Sequence, residues 1–121
     1  MAENVAVLGA SPKAERYSYQ ATVMLTNYGH RALPVNPYHA EVAGKPCVRS
    51  LSDITEPVDT VTLYLNPAQL AEHEAALIAL APKRVIFNPG TESPELESRL
   101  VAAGIQVEEA CTLVLLRTGQ F

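Results

Sequence analysis

The sequence lacks most of the features that mark specialised protein classes. Its 121 residues contain no tryptophan and only two cysteines, Cys47 and Cys111, which lie far apart and outside any metal-ligand spacing. This usage predicts free thiols and no metal site. No apolar run approaches the roughly 20 residues that cross a membrane, and Glu3 stands where a secretory signal is basic. We therefore expect a cytoplasmic protein with no membrane partner.

The chain also has no excess of positive charge. Lys and Arg number 9 against 13 Asp and Glu, which gives a formal net charge of −4. An acidic chain with scattered cations is not typical of nucleic-acid-binding proteins. Hydrophobic residues make up 48% of the sequence, which is enough for a core. The length suits one domain over residues 1–121.

Short apolar runs alternate with amphipathic segments along the chain. The runs predict strands over residues 4–8, 32–35, 60–64, 84–87 and 105–107. Periodicity and capping residues predict helices over residues 18–28, 67–81 and 94–103. The segment 38–55 is expected to be irregular, with one helical turn at 50–54. The apolar tail 111–116 favours a helix packed on the sheet.

Strands that alternate with helices through short connections predict a parallel sheet covered on both faces. We therefore expect an α/β domain of three layers, a Rossmann-like doubly wound fold. The order 3-2-1-4-5 of the predicted strands is the natural fit, with strands one and four adjacent at the switch point. The carboxyl ends of the strands would then form a ligand crevice.

The end of the first predicted strand has the pattern of an anion site. A small-residue turn is followed by two cations and a hydroxyl, where a helical pattern begins. The residues are Gly9, Ala10, Ser11, Lys13, Arg16 and Ser18. Backbone N–H groups at a helix start carry partial positive charge and lack partners within the helix. The turn therefore predicts a phosphate-bearing small molecule.

Three Asn-Pro pairs follow three predicted strands. They are Asn36-Pro37, Asn66-Pro67 and Asn88-Pro89. Because the carboxyl ends of parallel strands share one edge of a sheet, the pairs could line the rim of the crevice. Proline holds the preceding asparagine extended, and an amide can bind ribose hydroxyls or ring nitrogens. The alternative is that each pair only ends a strand and starts a turn.

Two familiar nucleotide signatures are missing. The motif G-x-G-x-x-G is absent, because only Gly9 matches a glycine of it, and the Walker A pattern is absent as well. Strand two ends in Val35-Asn36 rather than in the carboxylate that binds the ribose of NAD. NAD is therefore disfavoured. NADP stays as the weaker alternative, with Lys13 and Arg16 on its 2′-phosphate.

Several motifs occur in an order that resembles one family. They are Gly9-Ala10-Ser11, Arg16-Tyr17-Ser18, Gly29-His30, Pro34-Val35-Asn36-Pro37, Ser50-Leu51-Ser52-Asp53-Ile54 and Val58-Asp59-Thr60-Val61. The chain resembles the small stand-alone CoA-binding proteins, which are similar to the CoA-binding domain of the succinyl-CoA synthetase α subunit. The resemblance implies a Rossmann-like fold and a pocket for coenzyme A.

The resemblance also implies roles for individual residues. Phosphate contacts fall on the first turn, at Gly9, Ser11, Lys13 and Arg16. Asn36 and Pro37 would border the adenosine part, and the adenine or ribose would lie near Leu65, Asn66 and Pro67. The pantetheine path would be flanked by Asn88, Pro89 and Gly90.

No reaction centre is evident. His30, His39 and His73 have no paired nucleophile in the pattern, and Cys111 is explained best as a buried thiol. The sequence favours non-enzymatic binding of coenzyme A or an acyl-CoA, as a sensor or a carrier. Two alternatives stay open: an NAD(P)-binding oxidoreductase or enzyme subunit, and an interaction protein with a vestigial pocket and an apolar contact at 113–116. Homo-oligomerisation also stays open.

Overall fold

Strands and helices alternate along nearly the whole chain, as the sequence predicts. A computed structural model describes residues 2–121. Its strands are β1 (Asn4–Leu8), β2 (Arg31–Val35), β3 (Glu41–Val42), β4 (Lys45–Pro46), β5 (Thr60–Leu63), β6 (Arg84–Phe87) and β7 (Gln106–Glu109). Its α-helices are α1 (Tyr17–Asn27), α2 (Pro67–Leu70), α3 (Glu74–Leu80), α4 (Pro94–Ala102) and α5 (Thr112–Arg117).

Five strands form one parallel sheet in the order β2-β1-β5-β6-β7. The Rossmann-like class is confirmed, but the predicted strand order is wrong in detail. The third predicted strand, β5, pairs with β1 from Val5↔Thr60 to Leu8↔Leu63, instead of lying outside β2. In the predicted numbering the order is therefore 2-1-3-4-5, and the switch point lies between β1 and β5.

Proline explains why β2 lies at the edge of the sheet. Pro34 has no N–H to give to a second neighbouring strand. Its carbonyl instead accepts the N–H of Val48 at 3.1 Å, and the N–H of Asn36 donates to the carbonyl of Val48 at 2.9 Å. Val48, a single residue of the irregular segment, thus covers the outer edge of β2 at its carboxyl half. The next strand of the chain to join the sheet is β5, on the other side of β1.

Helices cover both faces of the sheet. Helices α1 and α5 pack over one face, where Val5, Val7, Leu25 and Leu116 are buried together. The other face carries α3 and α4, with Leu77 among its buried side chains. This arrangement gives the three expected layers. Among residues 2–121, no helix combines the length and the apolar character needed to cross a bilayer.

Two predicted segments differ in detail from the structure. The helix predicted over 67–81 is divided into α2 and α3 by a 3₁₀ turn, Ala71–His73, and His73 has φ −107° and ψ 0°. The segment 38–55 contains the short antiparallel hairpin of β3 and β4, along with the expected turn, a 3₁₀ helix at Leu51–Asp53. The predicted tail helix is present as α5.

Candidate functional site

Two clefts meet at the switch point between β1 and β5. The α1 cleft has a volume of about 470 Å³ and is lined by Gly9, Ser11, Glu15, Arg16, Tyr17, Ser18 and Tyr64. The β2 cleft has a volume of about 230 Å³ and is lined by Leu8, Gly9, Val35, Asn36, Pro37, Tyr38, Arg49, Leu65, Gln69, Glu72 and His73. Gly9 belongs to both clefts, so a ligand that crosses it can occupy both. Open α/β sheets bind ligands at such switch points.

Gly9 is fixed by its backbone conformation and by its neighbours. Its φ of +88° is the left-handed region, and a Cβ built there would lie 2.8 Å from Leu65 Cδ2 and 3.1 Å from the carbonyl oxygen of Tyr64. The predicted sharp turn is therefore confirmed. The side chain of Leu65 packs directly against Gly9, at the point where the two clefts meet.

Hydrogen bonds within the turn occupy most of its polar groups. Gly9 and Ala10 both donate their N–H groups to the carbonyl of Val35, at 3.0 and 3.2 Å. The N–H of Ser11 donates to Ser18 Oγ at 3.1 Å, and Ser11 Oγ accepts the N–H of Lys13 at 3.1 Å. These groups shape the turn, and Ala10 is fully buried.

The amino end of α1 has no side-chain cap. The residue that precedes the helix is Arg16, whose side chain cannot accept a hydrogen bond, and no side chain caps the helix. Among residues 2–121, the N–H groups of Tyr17, Ser18 and Tyr19 have no acceptor. Of these three residues, Tyr17 and Ser18 line the α1 cleft, so free donors and the partial positive charge of an 11-residue helix lie at that cleft.

The charges around the α1 cleft favour an anion at one end. Arg16 is exposed and takes part in no ion pair among the described residues. Lys13 is exposed in the same loop but does not line either cleft. Glu15 also lines the α1 cleft and is the one acidic side chain there in the described chain. Arg16 is therefore the cation best placed for an anionic ligand.

Tyr64 supplies a neutral wall to the α1 cleft. Its hydroxyl oxygen is buried and has no hydrogen-bond partner among the described residues. Burial raises the pKa of Tyr64 to about 12, and the nearby hydroxyls of Thr62 and Thr112 offset only part of that effect. The phenol therefore stays uncharged at neutral pH and does not repel an anion.

The β2 cleft has an apolar floor and a rigid rim. Asn36 Nδ2 donates to the carbonyl of Ala10 at 2.7 Å, and Asn36 Oδ1 accepts the N–H of Tyr38 at 2.8 Å. The asparagine thus ties the first turn to the segment after β2. Pro37 is exposed on the rim, and the half-buried side chain of Leu65 forms the floor.

The second Asn-Pro pair starts a helix. Asn66 Oδ1 accepts the N–H of Gln69 at 2.9 Å, and Gln69 Oε1 accepts the N–H of Asn66 at 3.2 Å. Pro67 is the first residue of α2. Both residues are exposed and lie next to the β2 cleft without lining it. The helix start predicted from Asn66 and Pro67 is therefore confirmed, and their contact with a ligand stays a prediction.

The third pair lies apart from the clefts. Asn88 is 3% exposed; its amide donates to Thr62 Oγ1 at 2.7 Å and to the carbonyl of Leu63 at 2.8 Å, and its oxygen accepts the N–H of Thr112 at 2.9 Å. Both N–H groups of this amide and one lone pair of its oxygen are therefore engaged within the protein, and its contact with a ligand stays a prediction. Because β5 separates β6 from β1, the loop also lies one strand, about 4.8 Å, farther from Gly9 than the predicted order implied.

Pro89 and Gly90 follow Asn88 and are exposed. They line neither the α1 cleft nor the β2 cleft. The N–H of Gly90 donates to Glu92 Oε1 at 2.8 Å. Their contact with a ligand stays a prediction.

Several lining residues escaped the sequence analysis. Tyr38 and Arg49 belong to the segment that had no periodic pattern, and His73 was given no role in the site. His73 is in fact half-buried in the wall of the β2 cleft, because the 3₁₀ turn before α3 redirects it. Tyr64, in the α1 cleft, follows a strand directly, and this position at a strand end is the signal that could have identified it.

The other histidines and Cys111 form no reaction centre with these clefts. His30 Nδ1 accepts the N–H of Glu3 at 3.1 Å, and its ring packs on Phe121 with centroids 4.9 Å apart, at the amino end of the sheet. His39 is exposed. Cys111 precedes α5 and is a free, half-buried thiol.

Fold and site together define a small Rossmann-like domain with an anion-ready switch point. Residues 3–117 match the family described as "CoA binding domain". The chain belongs to this family, as its motifs had indicated, and the match supports coenzyme A as the ligand of the domain. It gives no support to NADP.

Individual relatives agree with this assignment of the fold. The Bacillus subtilis (strain 168) protein "Uncharacterized protein YneT" is 32% identical over 68 residues, which cover 56% of this chain and 50% of that protein. The match thus spans about half the length of the curated relative. A crystal structure of an uncharacterized protein has 43% identity and a TM-score of 0.95, and the alignment covers 100% of this chain and 99% of that one.

A larger enzyme contains the same fold. Dinucleotide-forming acetyl-coenzyme A synthetase 1 of Ca. Korarchaeum cryptofilum, solved with phosphate and ADP, has a TM-score of 0.76 and 22% identity. The alignment covers 89% of this chain and 25% of that enzyme. At this identity the likeness concerns the fold alone. The expected CoA-binding family is confirmed by the match over residues 3–117, and this neighbour adds agreement in the fold.

Proposed function

We propose that the protein binds coenzyme A or an acyl-CoA without transforming it, as a sensor or a carrier. The observation that carries this proposal is the open amino end of α1. An unpartnered set of three N–H groups at a cleft, beside an unpaired arginine, suits a pyrophosphate. The family match supports coenzyme A as the molecule that carries this pyrophosphate.

The pyrophosphate would lie in the α1 cleft. The free N–H groups of Tyr17, Ser18 and Tyr19 would donate to its oxygens, and the guanidinium of Arg16 would add a charge-assisted pair. Gly9 and Ser11 would contribute through the shape of the turn, since their N–H groups are already bonded. Lys13 would act from farther away through its charge.

The adenosine part would lie in the β2 cleft. Leu65 offers an apolar surface to the base, and Asn36 and Pro37 hold the rim rigid. A rigid site loses little conformational entropy on binding. Asn66 and Pro67 would border the ligand only from outside the cleft, and Pro89 and Gly90 would flank the pantetheine arm where it leaves the sheet edge.

A binding role without catalysis is supported by the surroundings of the clefts. Among the described residues, the side chains that line them include one histidine, His73, and no cysteine or paired nucleophile. A general acid or base needs a partner within hydrogen-bond reach, and His73 has no such side-chain partner in the described chain. The two clefts would therefore hold the nucleotide part of the ligand without reacting with it.

Ligand identity can be tested directly on the purified protein. Native mass spectrometry would reveal a ligand carried through purification, and calorimetric titration would compare CoA, acetyl-CoA and NADP. We expect binding of CoA and acetyl-CoA, with NADP much weaker. Tighter binding of NADP, or the absence of both heat and thermal shift with CoA, would overturn the proposal. Turnover of acetyl-CoA in the same sample would refute the non-catalytic part alone.

A further inference from the structure

We propose that Arg49 recognises the 3′-phosphate on the ribose of coenzyme A and gives the site its preference over ligands that lack this group. This inference rests on the proposed function and adds a residue and a selectivity to it. Coenzyme A carries a second anionic centre, on the ribose, in addition to its pyrophosphate. Arg16 lies in the α1 cleft, so the second centre requires a cation in the β2 cleft.

Arg49 is the arginine that lines the β2 cleft. It is exposed, and among residues 2–121 its side chain forms neither an ion pair nor a hydrogen bond. Other arginines of the fold are engaged: Arg31 with Glu56, Arg84 with Glu3 and Glu108, and Arg99 with Glu74. The guanidinium of Arg49 is therefore free to pair with a phosphate.

The backbone on both sides of Arg49 is held in place. Val48 exchanges two hydrogen bonds with the end of β2, to Pro34 and Asn36, at 3.1 and 2.9 Å. On the other side, Ser50 begins a capping box: its N–H donates to Asp53 Oδ2 at 3.1 Å. The position of Arg49 is thus fixed beside Asn36, although the surrounding segment has little regular structure.

The layout matches the chemistry of the ligand. Gly9 joins the two clefts, so a molecule with its pyrophosphate at α1 and its ribose over Gly9 and Leu65 presents the 3′-phosphate toward the β2 side. Glu72 and His73 line the opposite wall of that cleft. The carboxylate of Glu72 opposes an anion there, and the positive charge of Arg49 offsets that repulsion.

The test compares CoA with dephospho-CoA, which differs only by the 3′-phosphate. Calorimetry should show that the wild-type protein binds CoA more tightly by about tenfold, and that Arg49→Gln removes most of this ratio by weakening CoA alone. The matched control is Lys45→Gln, which removes a cation from the neighbouring hairpin outside the β2 cleft and should preserve the ratio. Thermal unfolding should be the same for all three proteins.

Each contrary outcome has a distinct meaning. If the wild-type protein binds CoA and dephospho-CoA equally, or if Arg49→Gln weakens both equally, the role of Arg49 is refuted while the proposed function stands. If the protein binds neither ligand, the proposed function fails and the inference with it. If Arg49 instead discriminates NADP from NAD, the phosphate it recognises is at the 2′ position and the inference is also refuted.

Discussion

A Cβ placed on Gly9 would lie 2.8 Å from Leu65 Cδ2, so the turn after β1 and the end of β5 are packed against each other at the point where the two clefts meet. This contact couples the shape of the site to the stability of the fold. A side chain at position 9 would strain the backbone and would also push Leu65 away.

We predict that Gly9→Ala lowers the free energy of unfolding by about 2–4 kcal/mol, from the left-handed backbone and from overpacking. Gly29→Ala is the matched control, since Gly29 has the same φ of +88° with no atom within 4 Å of the added Cβ. It should cost about 1 kcal/mol. Urea denaturation measures both, and in a Leu65→Ala background the cost at position 9 should fall. Equal costs at positions 9 and 29 would contradict the role of Leu65.

Arg16→Ala should weaken CoA binding by about tenfold or more, because it removes a charge-assisted pair with the pyrophosphate. The melting temperature should not change, since the side chain is exposed and unpaired among the described residues. Lys13→Ala should cause a smaller loss because Lys13 lies outside the α1 cleft. CoA binding of wild-type strength by the Arg16 variant would contradict the contact between Arg16 and the pyrophosphate.

Asn88→Ala should destabilise the protein by about 2–4 kcal/mol, because it leaves buried groups on Thr62, Leu63 and Thr112 without their partner. Asn66→Ala removes only an exposed helix cap and should cost about 1 kcal/mol. Chemical denaturation distinguishes the two. A folded Asn88→Ala protein of normal stability that has lost CoA affinity would contradict the structural role and would support the predicted ligand contact.

Glu97→Gln should stabilise the protein at pH 7 by about 0.5 kcal/mol. Burial first, and then the neighbouring carboxyl group of Glu109, raise the pKa of Glu97. An acid with a raised pKa stabilises the fold when protonated, and that stability is lost as the pH rises through the folded-state pKa. The advantage of the variant should therefore vanish below the ordinary glutamate pKa of about 4.3.

Urea denaturation at pH 7 and pH 4 tests this pH dependence. Glu95→Gln is the control, since Glu95 lies in the same first turn of α4 as Glu97 but is exposed, whereas Glu97 is half-buried. It should give no gain at either pH. A gain for Glu97→Gln that persists unchanged at pH 4 would show that charge is not the cause.

Local signals in the sequence were sufficient for the class of fold and for the first turn. Gly9 and the caps Asn66 and Ser93 act over a few residues, so their patterns can be read directly. The strand order was missed because it depends on which distant strands pair. Pro34 carried the relevant signal, as proline inside a run places that strand at an edge.

The sequence predicted the turn at Gly9 but not the tertiary partners of the side chains around the clefts. The asparagines of all three Asn-Pro pairs do lie at strand ends, but their amides bond to protein groups that only the folded chain brings near. Arg49 was missed because the segment 38–55 has no period, and its path is set by the two bonds between Val48 and β2.

Those two bonds also protect the sheet from other molecules. An exposed strand edge invites another chain to add to it, yet at the carboxyl half of β2 the carbonyl of Pro34 and the N–H of Asn36 are already taken by Val48. A substitution that loosens Val48 would therefore do more than disturb the β2 cleft. It would expose a template for intermolecular strand pairing, so resistance to aggregation and the integrity of the cleft depend on the same residue.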